Sequence, residues 1–297
     1  MSSPHWARNH HTLATLALVA VTAVWGGTFV VVQDAVEQMP VLPFLFWRFA
    51  VAAVVLAALR PRAILDLDPV RRRHGVYLGL LLGSGYVAQT FGLLHTSATV
   101  SGFITGMFVV FTPLIAWGVL GQPVTSAVWT GVGLATVGLA LISLNGFALG
   151  FGELLTLACA AFFAAHIVGL GQWSTTADAY GLTVLQLGVV ALMCLVTSPL
   201  QGGIAMPPNA GVWAAIVFLA LAATALAFLA QTWAQNYLSA PRAAIVLTLE
   251  PVFAGIFGVT LGGDTLTARL LVGGGCIVAA MYVVELGPRR QLRATSS

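Results

Sequence analysis

Residues 88–133 can be laid on residues 230–275 without a gap, at a constant shift of 142. Ala88-Gln89-Thr90 falls on Ala230-Gln231-Thr232, Ser97-Ala98 on Ser239-Ala240, and Val110-Phe111 on Val252-Phe253. Gly121, Thr125, Gly131 and Gly133 fall on Gly263, Thr267, Gly273 and Gly275. A chain with this self-match is constrained to build two related halves. We place the boundary between them at 146, giving repeats over 1–146 and 147–297.

What each half is made of follows from the balance of side chains. Of the 297 residues, 59% are hydrophobic and 7% are charged, a surface that no water-soluble domain of this size could carry. Crossing a hydrocarbon core of ~30 Å takes about 20 apolar residues as helix. That criterion predicts ten spans, at 12–33, 41–60, 75–94, 99–120, 125–144, 149–172, 179–200, 211–235, 241–262 and 266–286. Turn chemistry separates them: Met39-Pro40, Gly121-Gln122-Pro123, Asn145-Gly146, Met206-Pro207-Pro208-Asn209 and Gly262-Gly263-Asp264. Pro241 suits the first turn of the ninth span. The first span follows Arg8, as in a signal peptide, but its apolar run is long and holds Trp25-Gly26-Gly27, so it belongs to the mature fold. His5, His10 and His11 read as a solvated tail before it.

All the basic residues are arginines, and they fall at span ends, which excludes a nucleic-acid partner and orients the chain. With the N-terminus inside, Arg8, Arg60, Arg62, Arg71, Arg72, Arg73, Arg242, Arg289, Arg290 and Arg293 are cytoplasmic, Arg269 is outside and Arg48 is intramembrane. The expected fold is therefore an all-α membrane protein of ten transmembrane helices, with both termini cytoplasmic, in the plasma membrane. Five spans per copy put the second copy in the membrane upside down relative to the first. Such an inverted repeat suits alternating access about a central site.

Polar residues inside the spans are the candidates for that site. Glu250 lies about ten residues into span nine, near the midplane at ~1.5 Å per residue. An acid there costs roughly 2.5–3.5 kcal/mol on insertion scales, so it marks either an ion or substrate pathway or a helix-locking pair. Its repeat partner is Phe108, so the charge belongs to one half only. Arg48 lies about 11 Å below the outer edge of span two. It has four destinations: Glu250, the outer acids Asp34 and Glu37, a substrate carboxylate, or snorkelling to the interface. Gln89 and Gln231 are repeat partners, one in each third span, set to line a cavity or to bond between helices. His166 and Asn236 are weaker candidates. An aromatic lining would draw on Trp25, Phe29, Tyr86, Phe103, Phe162 and Trp233. The substrate-binding set taken forward is Trp25, Arg48, Gln89, Phe103, His166, Gln231 and Glu250, with Glu250 also the proton-coupling candidate.

Gly79/Gly83, Gly102/Gly106 and Gly258/Gly262 read first as close helix packing. Cys159, Cys194 and Cys276 lie far apart in apolar runs and read as core residues, without a disulfide framework or a metal site. No P-loop, GxSxG elbow or HExxH occurs, so neither a cofactor nor enzymatic chemistry is expected.

The chain resembles the drug/metabolite transporter superfamily, specifically its EamA-type ten-helix members. The resemblance is carried by Trp25-Gly26-Gly27-Thr28-Phe29, Trp47-Arg48-Phe49, Ser101-Gly102-Phe103-Ile104-Thr105-Gly106 and Val109-Val110-Phe111-Thr112-Pro113. In the second half it is carried by Ala230-Gln231-Thr232, Leu249-Glu250-Pro251-Val252-Phe253-Ala254 and Leu261-Gly262-Gly263-Asp264. The family usually has Gly-Glu where this chain has Gly263-Asp264, and the first half carries the uncharged Gly121-Gln122 at the equivalent place. The resemblance implies a secondary carrier, mostly exporting amino acids, small metabolites or drugs, with helices five and ten peripheral. Its partners would be a small-molecule substrate and the lipid bilayer, and it would work as a monomer or homodimer. An uncoupled facilitator or exchanger is the alternative; an intramembrane enzyme or receptor is a third, weaker reading.

Overall fold

The computed structural model describes residues 5–121, 125–145, 148–238, 243, 246–247 and 249–294. Its elements are α1 (His5–Val36), α2 (Val41–Leu59), α3 (Pro69–Leu93), α4 (Ala98–Thr105), α5 (Phe108–Leu120), α6 (Ser126–Ser143), α7 (Phe151–Trp173), α8 (Ala179–Thr197), α9 (Ala210–Ala220), α10 (Ala227–Ala234), α11 (Leu249–Thr260) and α12 (Ala268–Ala294). Among the described residues, the strand pairing is a short antiparallel one, Leu144 with Leu149 and Asn145 with Ala148. Seven described stretches are long and apolar enough to cross a membrane: 10–36, 41–59, 69–93, 98–120, 151–173, 179–201 and 210–234. Large apolar side chains such as Val54, Leu59, Val119, Val196 and Leu226 remain exposed on them, which is the surface expected against lipid rather than water. Pro241, Arg242, Ser239-Ala240, Gln122-Pro123 and Gly146, with the expectations placed on them, lie outside the described residues.

Several boundaries differ from the expected ones for local reasons. The third span starts at Pro69 rather than at 75, because Asp68 accepts from the N–H groups of Val70 (2.8 Å) and Arg71 (2.9 Å). Pro69, with no N–H to satisfy, then fits the first turn. The histidines before span one are not a tail. They continue α1, and His10 stacks on Tyr237 with ring centroids 5.0 Å apart. The fourth span is two helices that break at Gly106-Met107, and Pro113 stands inside the second. The eighth span is also interrupted: α9 and α10 are joined by a π-helical turn, Leu221–Leu226.

Packing follows the small residues. α1 lies on α11, α2 on α8, α3 on α7 and α8, and α4 on α11, while α6 packs mainly against α12. A Cβ at Gly79 would stand 2.6 Å from Val189 Cβ, one at Gly83 2.5 Å from Met193 Cε, and one at Gly102 2.3 Å from Ala254 Cβ. The glycine pairs are thus contact points between helices. Two apolar clusters result, one around Phe44, Phe49, Leu82 and Ile216, the other around Leu18, Ile104, Val110 and Ile167. Trp25 and Phe163 pack on both. Cys159 and Cys194 are buried, and Cys276 is partly so.

Candidate functional site

A cavity with an empty volume of about 570 Å³ is lined from both halves of the chain. Of the seven substrate-binding candidates, Trp25, Arg48, Gln89, His166, Gln231 and Glu250 lie on its wall. Phe103 does not: its ring packs toward Gly255 and Gly274, on the side of α4 that faces α11 and α12. Among the aromatic candidates, Trp25, Phe29 and Tyr86 line the cavity. Phe162 is 39% exposed on the outer face of α7, and its neighbour Phe163 takes the inward place. Trp233 packs on Tyr237 instead, and Asn236 bonds back to the Thr232 carbonyl of its own helix at 2.8 Å.

The repeat is visible in the wall. Gln89 is matched by Gln231, Tyr86 by Phe228, and Phe108 by Glu250, each pair at the shift of 142. Tyr86 forms the centre of an aromatic cluster, with Phe49 at 4.9 Å, Phe163 at 5.3 Å and Phe228 at 6.1 Å between centroids.

Arg48 is 2% exposed, so it does not snorkel to the interface. Its Nε donates to Thr224 Oγ1 at 2.9 Å, and its guanidinium carbon sits 4.9 Å from the Tyr86 ring centroid. Stacking on an aromatic face suits a flat, weakly hydrated cation. No carboxylate oxygen among the described residues comes within 4.0 Å of it, so it pairs with neither Glu250 nor the outer acids. The guanidinium also comes within hydrogen-bonding reach of the Tyr86 side chain.

Thr224 and its neighbour belong to the π turn. Trp25 Nε1 donates to the Ala223 carbonyl at 2.7 Å, and Thr224 takes Arg48. Two cavity residues of the first half are therefore held by consecutive residues of the second. A wide turn releases backbone carbonyls from the regular i−4 ladder, which is why such turns recur at functional sites. Sequence reasoning passed over Thr224, Phe163 and Phe228. Of these only Phe228 carried a signal, as the repeat partner of Tyr86.

Glu250 sits in the first turn of α11, 6% exposed, with no hydrogen-bond or ion partner among the described residues. Its backbone is pressed on α1, where a Cβ at Gly26 would lie 2.9 Å from the Glu250 carbonyl oxygen and 2.4 Å from Phe253 Cβ. Gly26 thus brings α1 and α11 close enough for Trp25 and Glu250 to share one wall. On the same side, Gln231 donates to Gln235 Oε1 at 3.2 Å while its own Oε1 is buried without a partner. His166 Nε2 lies 2.7 Å from Gln186 Oε1, which positions the ring but leaves Gln186 Nε2 unpaired. Gln89 donates to Thr105 Oγ1 at 3.2 Å. The cavity therefore offers a cation, a carboxylate and an amide acceptor, unpaired, among aromatic faces.

The model of the EamA-like transporter family matches this chain twice, over residues 12–144 and 150–286. The chain belongs to the EamA-like transporter family. It is a membrane transporter of that family, with multiple passes through the bilayer. Among its EamA-type relatives is an uncharacterized transporter of Archaeoglobus fulgidus, 31% identical over 279 residues that cover 92% of this chain and 86% of the relative. The uncharacterized inner membrane transporter YedA of Escherichia coli is 26% identical, with 91% and 90% covered. A "Probable terminal-alkyne amino-acid exporter" of Streptantibioticus cattleyicolor is 27% identical, with 94% and 96% covered. A solved protein structure superposes with a TM-score of 0.67 over 94% of this chain and 98% of its own at 19% identity, which speaks for the fold alone.

Proposed function

We propose that this EamA-type protein is a secondary transporter of the plasma membrane that exports a small zwitterionic metabolite with an apolar body, an amino acid or a close analogue, by alternating access. The observation that supports the reading is the separation of Arg48 from Glu250: a basic and an acidic side chain on one cavity wall, with no ion pair between them among the described residues. Burying unpaired charges is costly, and a solute that bridges them returns that cost as binding. Arg48 takes the solute carboxylate end-on through its terminal nitrogens. Glu250 and Gln231 Oε1, both acceptors, take the ammonium. Trp25, Tyr86, Phe163 and Phe228 hold the apolar body, with Gln89 and His166 as polar contacts at its edge. The amino-acid exporter named among the relatives agrees with this class.

The repeats 1–146 and 147–297 exchange roles as gates, in a ten-helix topology with both termini cytoplasmic. The carrier works as a monomer or a homodimer, with the small-molecule solute and the lipid bilayer as its partners. Glu250 is the group that couples transport to a proton gradient; an uncoupled exchanger with the same cavity is the second reading. The non-enzymatic assignment rests on the family and on the transporters among its relatives.

A thermal-shift screen of the purified protein against L-amino acids tests the substrate class, because a ligand that binds only the folded state raises its stability. Leucine, phenylalanine and their analogues should stabilise the protein, and the matching amines lacking the carboxylate should not. Equal shifts from the amines would remove Arg48 from the reading. Proton coupling is tested in liposomes: counterflow that proceeds unchanged when the pH gradient is collapsed favours the uncoupled exchanger.

A further inference from the structure

Outside the cavity, one contact between the halves has no counterpart at the opposite end of the repeat. Asp264 Oδ2, in the turn that follows α11, accepts from the backbone N–H of Thr99 in the first turn of α4 at 2.9 Å. The approach is close: a Cβ at Gly258 would stand 2.1 Å from Thr99 Oγ1 and 2.8 Å from Asp264 Oδ2, and one at Gly262 3.1 Å from Val30 Cγ2 on α1. The missing side chains at Gly258 and Gly262 are what let α4, α11 and α1 meet here. Gly263, with φ of 71°, turns the chain back so that Asp264 reaches the start of α4, and its N–H bonds the Gly258 carbonyl at 3.0 Å.

The other half contains the same turn, since Gly121 has φ of 65° at the position equivalent to Gly263. Every residue that makes the contact differs. At the shift of 142, Gly258 corresponds to Ala116, Gly262 to Leu120, Asp264 to Gln122 and Thr99 to Pro241. Proline has no N–H to donate, and glutamine carries no charge to accept with, so this bond cannot be formed by the equivalent residues. The ion pair of Arg71 with Asp178, 3.3 Å, also joins the halves, but it ties α3 to α8 and leaves α4 and α11 free of it.

We propose that Asp264 and the Thr99 N–H form a one-sided latch that closes the α4–α11 seam, so that the empty transporter rests with this end shut and its cavity reached from the opposite end. The proposal rests on the alternating-access reading above, and it concerns access rather than the identity of the solute. The repeat gives two equivalent seams. Only one carries the charge-assisted bond and the glycine contact that hold it.

The test follows thiol access in the full chain. In a background carrying Cys159→Ala, Cys194→Ala and Cys276→Ala, a single reporter, Thr28→Cys, is placed on the cavity wall. Separate end markers, Thr265→Cys beside the latch and Arg62→Cys at the α2–α3 loop, show which face each side of the membrane meets. Sulfonatoethyl methanethiosulfonate, which does not cross the bilayer, is applied to either side with no solute present. The reporter should react from the side that modifies Arg62→Cys and only slowly from the side that modifies Thr265→Cys. Asp264→Ala should raise reaction from the latch side about tenfold, the scale of one lost charge-assisted bond. Thr99→Pro removes the donor instead, and the chain already uses Ala-Pro at the equivalent Ala240-Pro241, so it should act alike even where Asp264→Ala does not fold. Asp264→Asn, which keeps an acceptor oxygen, should give a smaller rise. Unchanged latch-side reaction in the folded variants overturns the proposal, as does a parent that reacts equally from both sides. Because no solute is present, a wrong substrate class leaves this result unaffected.

Discussion

At the scale of single residues, the proposed function rests on Arg48 and Glu250 in the cavity wall. Glu250→Gln keeps the size of the side chain and an acceptor but removes its capacity to carry a proton. In liposomes, transport driven by a pH gradient should be abolished, while solute exchange without a gradient continues. If gradient-driven transport survives with its pH profile intact, Glu250 serves only the structure. Arg48→Lys keeps a positive charge but loses the planar fork and the stacking on Tyr86. A loss of at least about tenfold in affinity for a carboxylate-bearing solute is expected, on the scale of one charge-assisted hydrogen bond. Calorimetric titration of the variant measures it. Both residues were legible in the sequence because a charge inside an apolar span is conspicuous. Their relationship was not, since only the packed structure shows that they share a wall without touching.

At the scale of elements, the π turn at Leu221–Leu226 connects the halves at the site, through Trp25 on Ala223 and Arg48 on Thr224. Thr224 does not itself line the cavity and acts through Arg48, so in the proposed mechanism it is a positioning residue. Thr224→Val removes the acceptor and leaves a buried guanidinium N–H unsatisfied, a cost of about 1–3 kcal/mol. The apparent KM for a carboxylate-bearing solute should rise roughly five- to a hundredfold on that scale while kcat changes little, and Thr224→Ser should restore it. Equal effects of valine and serine would deny the positioning role. Gly26 tests the α1–α11 contact in the same way. Gly26→Leu forces a side chain against Phe253 and the backbone of Ala254, and overpacking costs typically 1–3 kcal/mol. Thermal unfolding in detergent should show the loss of stability, and solute binding should weaken with it because Trp25 and Glu250 are pushed apart. None of this is visible in the sequence: a π turn has no composition of its own, and the eighth span reads as a continuous apolar helix. Phe162 and Phe163 make the same point, since one residue is about 100° of helix rotation. Periodicity in an apolar span buried on many sides does not tell which of the two faces inward.

At the scale of the whole molecule, the family model matches the chain twice, and the proposed inverted arrangement of the two copies is open to a direct test. Reporter fusions test the topology that the arginine distribution implies. A fluorescent protein at the C-terminus should fold and fluoresce, and alkaline phosphatase there should stay inactive. The reverse pattern would invert the chain in the membrane and exchange the inner and outer faces of both seams. The α6–α12 pair joins the second apolar cluster through Ala135, Ile277 and Ala280, and none of its described residues lines the cavity.

By itself the sequence determined the class of molecule, its two-fold repeat and the rare polar residues that a membrane span must account for. These are properties of composition and spacing, and the cost of burying polar groups in hydrocarbon makes them hard to miss. Only the tertiary structure decided which of those residues meet, that Phe103 turns away from the cavity, and that Thr224 and Ala223 hold the first half's Arg48 and Trp25. Helix rotation, a π turn and the closeness that glycine allows set those contacts, and each depends on a neighbour distant in the chain. The repeat supplied two equivalent frames and the sequence put Glu250 and Asp264 in one of them; packing decided what each of them meets there.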